Sequence, residues 1–304
     1  MIVQDAAVAY VGRLKATRDP SEHTLRAYEC DLRSYSRFLS ARRLCPKREA
    51  TVLAYADFMR TERAAAPRTI RRRMACLRGF YKDLVRTGAM RRSPFARLEL
   101  QLPRAKSLPR ALTRADASRL ARAAWTACSG RYVEVETKRF AAAVLLVMAT
   151  GIRVGELVRL RRCDFDAESG ALLVHGKGRK ERRVFVVDAR LRALLDRFAT
   201  RQETGSLLGP PGDVWSTQAV RRSLRTFAFE AGVASRVTPH MLRHTCATLL
   251  LEEGVDLRFL QRLLGHENIA TTAIYAYAGD DGLRRALENA ELLSVLSSSG
   301  ARRR

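Results

Sequence analysis

No stretch of this chain approaches the ~20 consecutive apolar residues that crossing a bilayer requires. The longest apolar run, Phe140 to Ala149, has only the length of a core helix. The N-terminus also lacks a secretory signal pattern, so the reading is a cytoplasmic protein with no membrane partner. Six cysteines (Cys30, Cys45, Cys76, Cys128, Cys163, Cys246) are scattered, with no Cys-x-x-Cys pair among them. That argues against a zinc ribbon and a disulfide framework, and for reduced thiols. There is no Walker-type phosphate loop and no cluster of carboxylates for paired metals, so no cofactor and no metal ion is expected. Internal repeats and long low-complexity segments are missing too. Acidic side chains are scarce: 31 Asp and Glu stand against 56 Lys and Arg, a formal net charge of +25 with pI ≈ 11.0. Such a field attracts polyanions, which puts nucleic acid ahead of an anionic membrane surface and predicts nucleoid association.

At 304 residues the chain is long enough for two domains. Pro103 and Pro109 bracket a basic stretch, and proline disfavours helix in the residue before it. We therefore divide the sequence into residues 1–100, a linker at 101–112, and residues 113–304. Residues 1–110 carry a net +15 and residues 111–304 a net +10, so the smaller part has the denser positive field.

The first part reads as helical. Leu25, Tyr28, Leu32, Tyr35 and Leu39 form one apolar stripe at steps of three and four; Ile70, Met74, Leu77, Tyr81 and Leu84 form another. Opposite the second stripe lie Arg68, Arg71, Arg72, Arg78 and Lys82, with no acidic residue among them before Asp83. Charges so arranged repel unless phosphates neutralise them, which predicts a DNA-facing helix rather than a merely solvated face. The second part mixes helices with a short sheet. Thr113 caps a helix through Trp125; Phe140 to Ala149 is a buried helix ended by Gly151; Val154 to Leu160 begins another. Ala171–His175 and Arg183–Val187 are β-rich and flank the basic turn Gly176-Lys177-Gly178-Arg179-Lys180, hence a hairpin. Further helices are expected at Leu191–Ala199, Ser216–Ala231, His240–Glu253, Asp256–Leu264 and Leu283–Leu296. The fold class is mainly α with a small antiparallel β-sheet.

The chemistry-bearing residues fall in five short motifs. They are Thr150-Gly151-Ile152-Arg153-Val154-Gly155-Glu156, the basic turn around Lys177, and His240-Met241-Leu242-Arg243-His244. Leu264-Gly265-His266 and Thr271-Thr272-Ala273-Ile274-Tyr275 complete the set. Breaking a phosphodiester asks for a nucleophile, for cations on the non-bridging oxygens, and for a proton on the leaving oxygen. Arg153 and Arg243 suit the second task, because guanidinium stays charged and binds two oxygens at once. Glu156, three residues after Arg153, could orient that charge. His240 and His244 are spaced for zinc, but a zinc protease needs Glu where this chain has Met241.

In order and spacing these motifs resemble the tyrosine recombinase (phage integrase) family, and within it the Xer-like members, over nearly the whole chain. The 24-residue interval from Arg153 to Lys177 and the nine residues from His266 to Tyr275 fit the family. The resemblance implies an N-terminal helical core-binding domain and an α+β catalytic domain. It makes Tyr275 the nucleophile, Lys177 the donor to the 5′ leaving oxygen, and His240 a proton-transfer residue. Arg153, Arg243 and His266 would hold the phosphate, with Arg179 and Lys180 as further DNA contacts. A departure follows the nucleophile, where Tyr277 stands in place of a frequent histidine. The implied activity is site-specific recombination through a covalent 3′-phosphotyrosine and a Holliday junction, serving mobile-element integration or excision, or replicon dimer resolution. Its substrate would be double-stranded DNA with paired core sites, bound by a homo- or hetero-tetramer that docks through the C-terminal helix. The competing readings are a type IB topoisomerase-like relaxer and a non-catalytic DNA-binding accessory protein.

Overall fold

The computed structural model describes residues 3–18, 20, 22–98, 111–176, 181–200, 205–209, 215–265 and 280–297. The chain falls into two compact units, Met1–Ser107 and Leu108–Arg304. The first contains helices α1 (Val3–Arg18), α2 (Glu22–Arg42), α3 (Glu49–Thr61) and α4 (Pro67–Arg86). The two apolar stripes lie on α2 and α4; α1 and α3 complete the core. Pro67 opens α4 at a position whose amide would have had no helical partner. Tyr35, Tyr55 and Tyr81 are fully buried among Leu32, Met59, Leu77 and Phe80. Their phenols stay satisfied: the Tyr35 and Tyr81 hydroxyls are 2.8 Å apart, Tyr81 donates to the Pro46 carbonyl at 2.7 Å, and Tyr55 donates to Ser34 Oγ at 3.1 Å.

Along α4 the first acid is Asp83, which pairs with Arg13 and Arg86, but α2 supplies another from across the core. Asp31, only 1% exposed, accepts both terminal nitrogens of Arg72, one at 2.8 Å, and lies 3.3 Å from Arg73 Nε. Arg72 is therefore tied to the fold of this unit, whereas Arg68, Arg78 and Lys82 are exposed. Arg78 also covers the Phe95 ring, with its guanidinium carbon 5.6 Å from the centroid.

The second unit is built around α6 (Val135–Thr150), whose residues Ala141 to Met148 are all buried. Packed on it are α5 (Arg114–Ser129) and, later in the chain, α8 (Ala189–Thr200) and α10 (Pro239–Glu252). Thr113 caps α5 by accepting the Asp116 amide at 3.1 Å. Gly151 ends α6 at φ 63°, a left-handed conformation that favours glycine. Strands β1 (Ala171–His175) and β2 (Glu181–Phe185) pair antiparallel, from Ala171 opposite Phe185 to His175 opposite Glu181. The remaining helices are α7 (Val154–Leu157), α9 (Thr217–Glu230), α11 (Leu257–Leu264), α12 (Asp280–Ala290) and α13 (Leu292–Ser297). Among the described residues, no helix is long and apolar enough to cross a membrane.

Three elements differ from the sequence reading. The second strand, expected at Arg183–Val187, runs Glu181–Phe185 and so includes Arg182. The helix expected from Val154 to Leu160 is a single turn, α7. Past it the chain is recruited elsewhere: the Leu160 carbonyl accepts the Leu207 amide at 2.8 Å, and the Arg162 amide donates to the Gly205 carbonyl. The expected helix Leu283–Leu296 is broken into α12 and α13 at Glu291, which takes φ 39°. Leu283, Leu287, Leu292, Leu293 and Leu296 are all buried in the core of their own unit, where α13 packs on α5 and α6.

Candidate active site

Gly151 turns the chain out of α6 so that Arg153 stands as the N-cap of α7. Glu156 reaches back from the end of the same turn. Its Oε2 accepts the Arg153 amide at 2.7 Å, and its Oε1 accepts Arg153 Nη1 at 2.9 Å. The carboxylate thus occupies an orphan amide donor of the helix start and fixes the arginine at once. Glu156 is 4% exposed, while nearly half of the Arg153 side chain remains open.

Arg243 enters from α10, whose first turn is set by Thr238 accepting the Met241 amide at 3.2 Å and by Pro239 next to the cap. His240 sits in that turn, exposed, and Arg243 follows nearly one turn later. Arg243 is 6% exposed and donates to the Gly151 carbonyl at 2.6 Å and the Leu264 carbonyl at 2.5 Å. The Thr245 hydroxyl, on the same helix, accepts the Leu112 amide at 2.8 Å and pins the entry into this unit.

A third guanidinium joins them. Arg182, on β2, donates Nη1 and Nη2 to the two oxygens of Glu156 at 2.9 Å each, and Nε to the Leu263 carbonyl at 2.8 Å. Arg153 Nη2 meanwhile donates to the Gly265 carbonyl at 3.0 Å. Three consecutive carbonyls at the end of α11 are therefore held by three arginines, from β2, α10 and the start of α7. A helix C-terminus leaves its last carbonyls without intrahelical donors and carries partial negative charge, so cations gather there. Gly265 closes α11 at φ 61°, and a Cβ there would stand 3.2 Å from Arg182 Cδ. Glycine is required both for the turn and for the approach of the arginine.

Three guanidiniums and one carboxylate leave this cluster with two positive charges. Burial alone would push the Glu156 carboxyl up. Hydrogen bonds from Arg182 and from the Arg153 amide, with the Arg182 charge, outweigh it and hold the group at about 2. Burial, then the Arg153 charge, pulls the Arg243 guanidinium down to about 10, against the attraction of Glu156. Both groups are ionised at neutral pH. The surplus charge suits one phosphodiester anion and the further negative charge that develops during its displacement.

The structure thus brings together Arg153, Glu156 and Arg243 as the sequence grouped them, with His240 at the head of the same helix as Arg243. It adds Arg182, which sequence reasoning did not single out; its only signal was position beside the Lys177 turn. Lys177, Arg179, Lys180, His266, Tyr275 and Tyr277 lie outside the described residues. Exposed arginines Arg221, Arg222 and Arg225 on α9 extend the basic surface of this unit, and sequence reasoning did not single them out. Among the described residues, no three His, Cys, Asp or Glu side chains gather as a metal-binding group.

The phage integrase family model matches residues 111–281, and the model for the phage integrase N-terminal SAM-like domain matches residues 7–88. The tyrosine recombinase XerC of Thermodesulfovibrio yellowstonii is 33% identical over 279 residues, covering 88% of this chain and 90% of that protein. The tyrosine recombinase XerC of Halalkalibacterium halodurans is 33% identical over 292 residues, covering 91% and 93%. Among solved structures, XerH site-specific recombinase bound to difH substrate shares the fold with a TM-score of 0.66 at 21% identity, over 92% of this chain and 83% of that one. A lambda integrase dimer bound to a COC' core site gives 0.68 at 20% identity, over 88% and 96%. With a family match spanning more than half of it and relatives above 30% identity along most of its length, the chain belongs to the phage integrase family and is a Xer-like, tyrosine-type site-specific recombinase.

Proposed function

We propose that this chain cleaves and rejoins double-stranded DNA at paired core sites through a covalent 3′-phosphotyrosine. The observation that carries this reading is the cluster of Arg153, Arg243 and Arg182 on the end of α11, one residue before His266. Arg153 and Arg243 hold the non-bridging oxygens of the scissile phosphate, with Glu156 fixing the first. Tyr275 attacks phosphorus; the tyrosyl oxygen–phosphorus bond forms as the bond to the 5′ oxygen breaks. The phenolic proton passes to His240, and Lys177 protonates the departing 5′ oxygen. His266 donates to the phosphate. Attack by the freed 5′ hydroxyl of a partner strand reverses the step, so bond energy is kept and no external energy source is needed.

Residues 1–100 act as the core-type DNA-binding domain, joined by a linker at 101–112 to the catalytic domain at 113–304. Arg68, Arg71, Arg78 and Lys82, with Arg179 and Lys180 of the hairpin, contact the phosphate backbone, while Arg72 serves the fold through Asp31. Four protomers, of one kind or two, assemble on two duplexes and exchange strands through a Holliday junction in the nucleoid of the cytoplasm. Docking in trans through the C-terminal helix would require α13 to leave its seat on its own unit, where its leucines are buried.

The test is capture of covalent protein–DNA adducts from sheared genomic DNA of the source organism, followed by peptide and end mapping. The unchanged protein should yield adducts on Tyr275 at discrete sites, Tyr277→Phe should retain them, and Tyr275→Phe should bind DNA but yield none. Adducts on Tyr277 would overturn the choice of nucleophile. Their complete absence would leave a binding protein. Relaxation of supercoiled plasmid without junctions between two recovered sites would mark a topoisomerase.

A further inference from the structure

Arg182 is the residue of the cluster whose donors are most fully committed. Its side chain is 13% exposed, and all three of its nitrogens already donate to protein partners at 2.8 to 2.9 Å. Its partners are the carboxylate that fixes Arg153 and the carbonyl preceding the one that fixes Arg243. The carboxylate is shared: Glu156 Oε1 accepts from Arg153 and from Arg182, both at 2.9 Å. Were Arg182 absent, Glu156 would keep the Arg153 amide and the half-exposed Arg153 side chain but lose both bonds from its buried side, leaving the Arg153 guanidinium on a less firmly held partner. The end of α11 would lose one of its three holds.

We propose that Arg182 is a positioning residue for strand cleavage: by bridging Glu156 and the last turn of α11 it holds Arg153 and Arg243 in register on a single phosphate. It touches no reacting atom. The role rests on the strand-cleavage reading above and adds to it a requirement for guanidinium shape rather than for charge. A planar fork can span two carboxylate oxygens and a carbonyl together; an ammonium of the same charge cannot.

Arg182→Lys therefore separates shape from charge. The assay is single-turnover cleavage at saturating protein, using a nicked duplex that carries a site recovered from the genomic adducts, with adduct formed against time. DNA affinity and thermal unfolding are measured alongside. The expected result is a rate constant at least 10-fold lower, with adduct amplitude within a factor of two of the unchanged protein and DNA affinity within about 3-fold. An unaltered rate constant would show that charge alone suffices and overturn the proposal. So would a reduced amplitude with an unaltered rate constant, because a purely structural residue lowers the folded fraction and leaves the surviving molecules as fast as before. If Arg182→Lys does not unfold cooperatively, Glu156→Gln asks the same question from the other side of the bridge, and an unaltered rate constant there is equally fatal. Failure of the unchanged protein to form any adduct sinks the strand-cleavage reading itself, and this role with it; slow variants beside an active parent concern Arg182 alone.

Discussion

Replacing Glu156 by Gln should destabilise the second unit in a way that depends on pH. In the folded chain the carboxyl sits at about 2, against 4.5 for the free group, because Arg182 and the Arg153 amide overcome the cost of burial. By linkage, that difference stabilises the folded state by roughly 3 kcal/mol at neutral pH. The folded value lies below the unfolded one, so the contribution is complete above about pH 5 and is lost as pH falls toward 2. At pH 3 less than half of it remains. Glutamine keeps one acceptor and Arg153 can turn to solvent, so we expect a net loss of about 2 kcal/mol at pH 7. For a unit of this size that corresponds to a melting temperature lower by roughly 4–8 °C. Calorimetry of both proteins without DNA, at pH 7 and at pH 3, measures the gap directly. Equal melting temperatures at pH 7 would refute the reasoning, and so would a gap at pH 3 as wide as that at pH 7.

Arg153→Ala and Arg243→Ala should each slow adduct formation by about 100- to 1000-fold while DNA affinity stays within about 3-fold, as for loss of one transition-state donor; adduct formation at the parental rate would remove the residue from the phosphate. On α4 the basic residues should separate into two kinds. Replacing Arg68 and Lys82 by Ala should weaken DNA binding and flatten its salt dependence by about one in slope for each phosphate no longer neutralised, with unchanged thermal stability. Arg72→Ala should instead cost roughly 1–3 kcal/mol of stability, because it strips a partner from buried Asp31, a smaller loss than for a fully enclosed pair since Arg72 is half exposed and Arg73 remains. An Arg72→Ala protein as stable as its parent would contradict the ion pair. Deleting residues 283–304 removes five buried leucines, each stabilising by ~1.5–3 kcal/mol, and should unfold the second unit; a truncated protein that melts cooperatively near the parental temperature would show that these helices are dispensable to it.

What the sequence made legible was local. Apolar steps of three and four placed α2 and α4, and the Thr113 side chain and the Gly151 break set α5 and α6, because each signal acts within one turn. The grouping of Arg153 with Glu156 was readable for the same reason, being a three-residue spacing on one turn. Arg182 was not: its partner carbonyl lies 81 residues away, and no periodicity links a strand to the end of a later helix. The Asp31–Arg72 pair, 41 residues apart, escaped in the same way, and with it the structural part of what looked like a uniformly DNA-facing row. The early end of α7 has the same cause: beyond it Leu160 and Arg162 pair with backbone at Leu207 and Gly205, partners that no local pattern announces.

The junction at the end of α11 bears on how such enzymes can be recombined with one another. Leu263, Leu264 and Gly265 are anchored to three separate parts of the second unit, so Gly265 is a fixed point. A chimera that takes everything after Gly265 from another member inherits that point of departure intact. One spliced further upstream, within α11, sets a foreign last turn on this chain's Arg182, Arg243 and Arg153, and keeps the anchorage only if a glycine stands at position 265. Splice points chosen by sequence similarity alone would not distinguish the two.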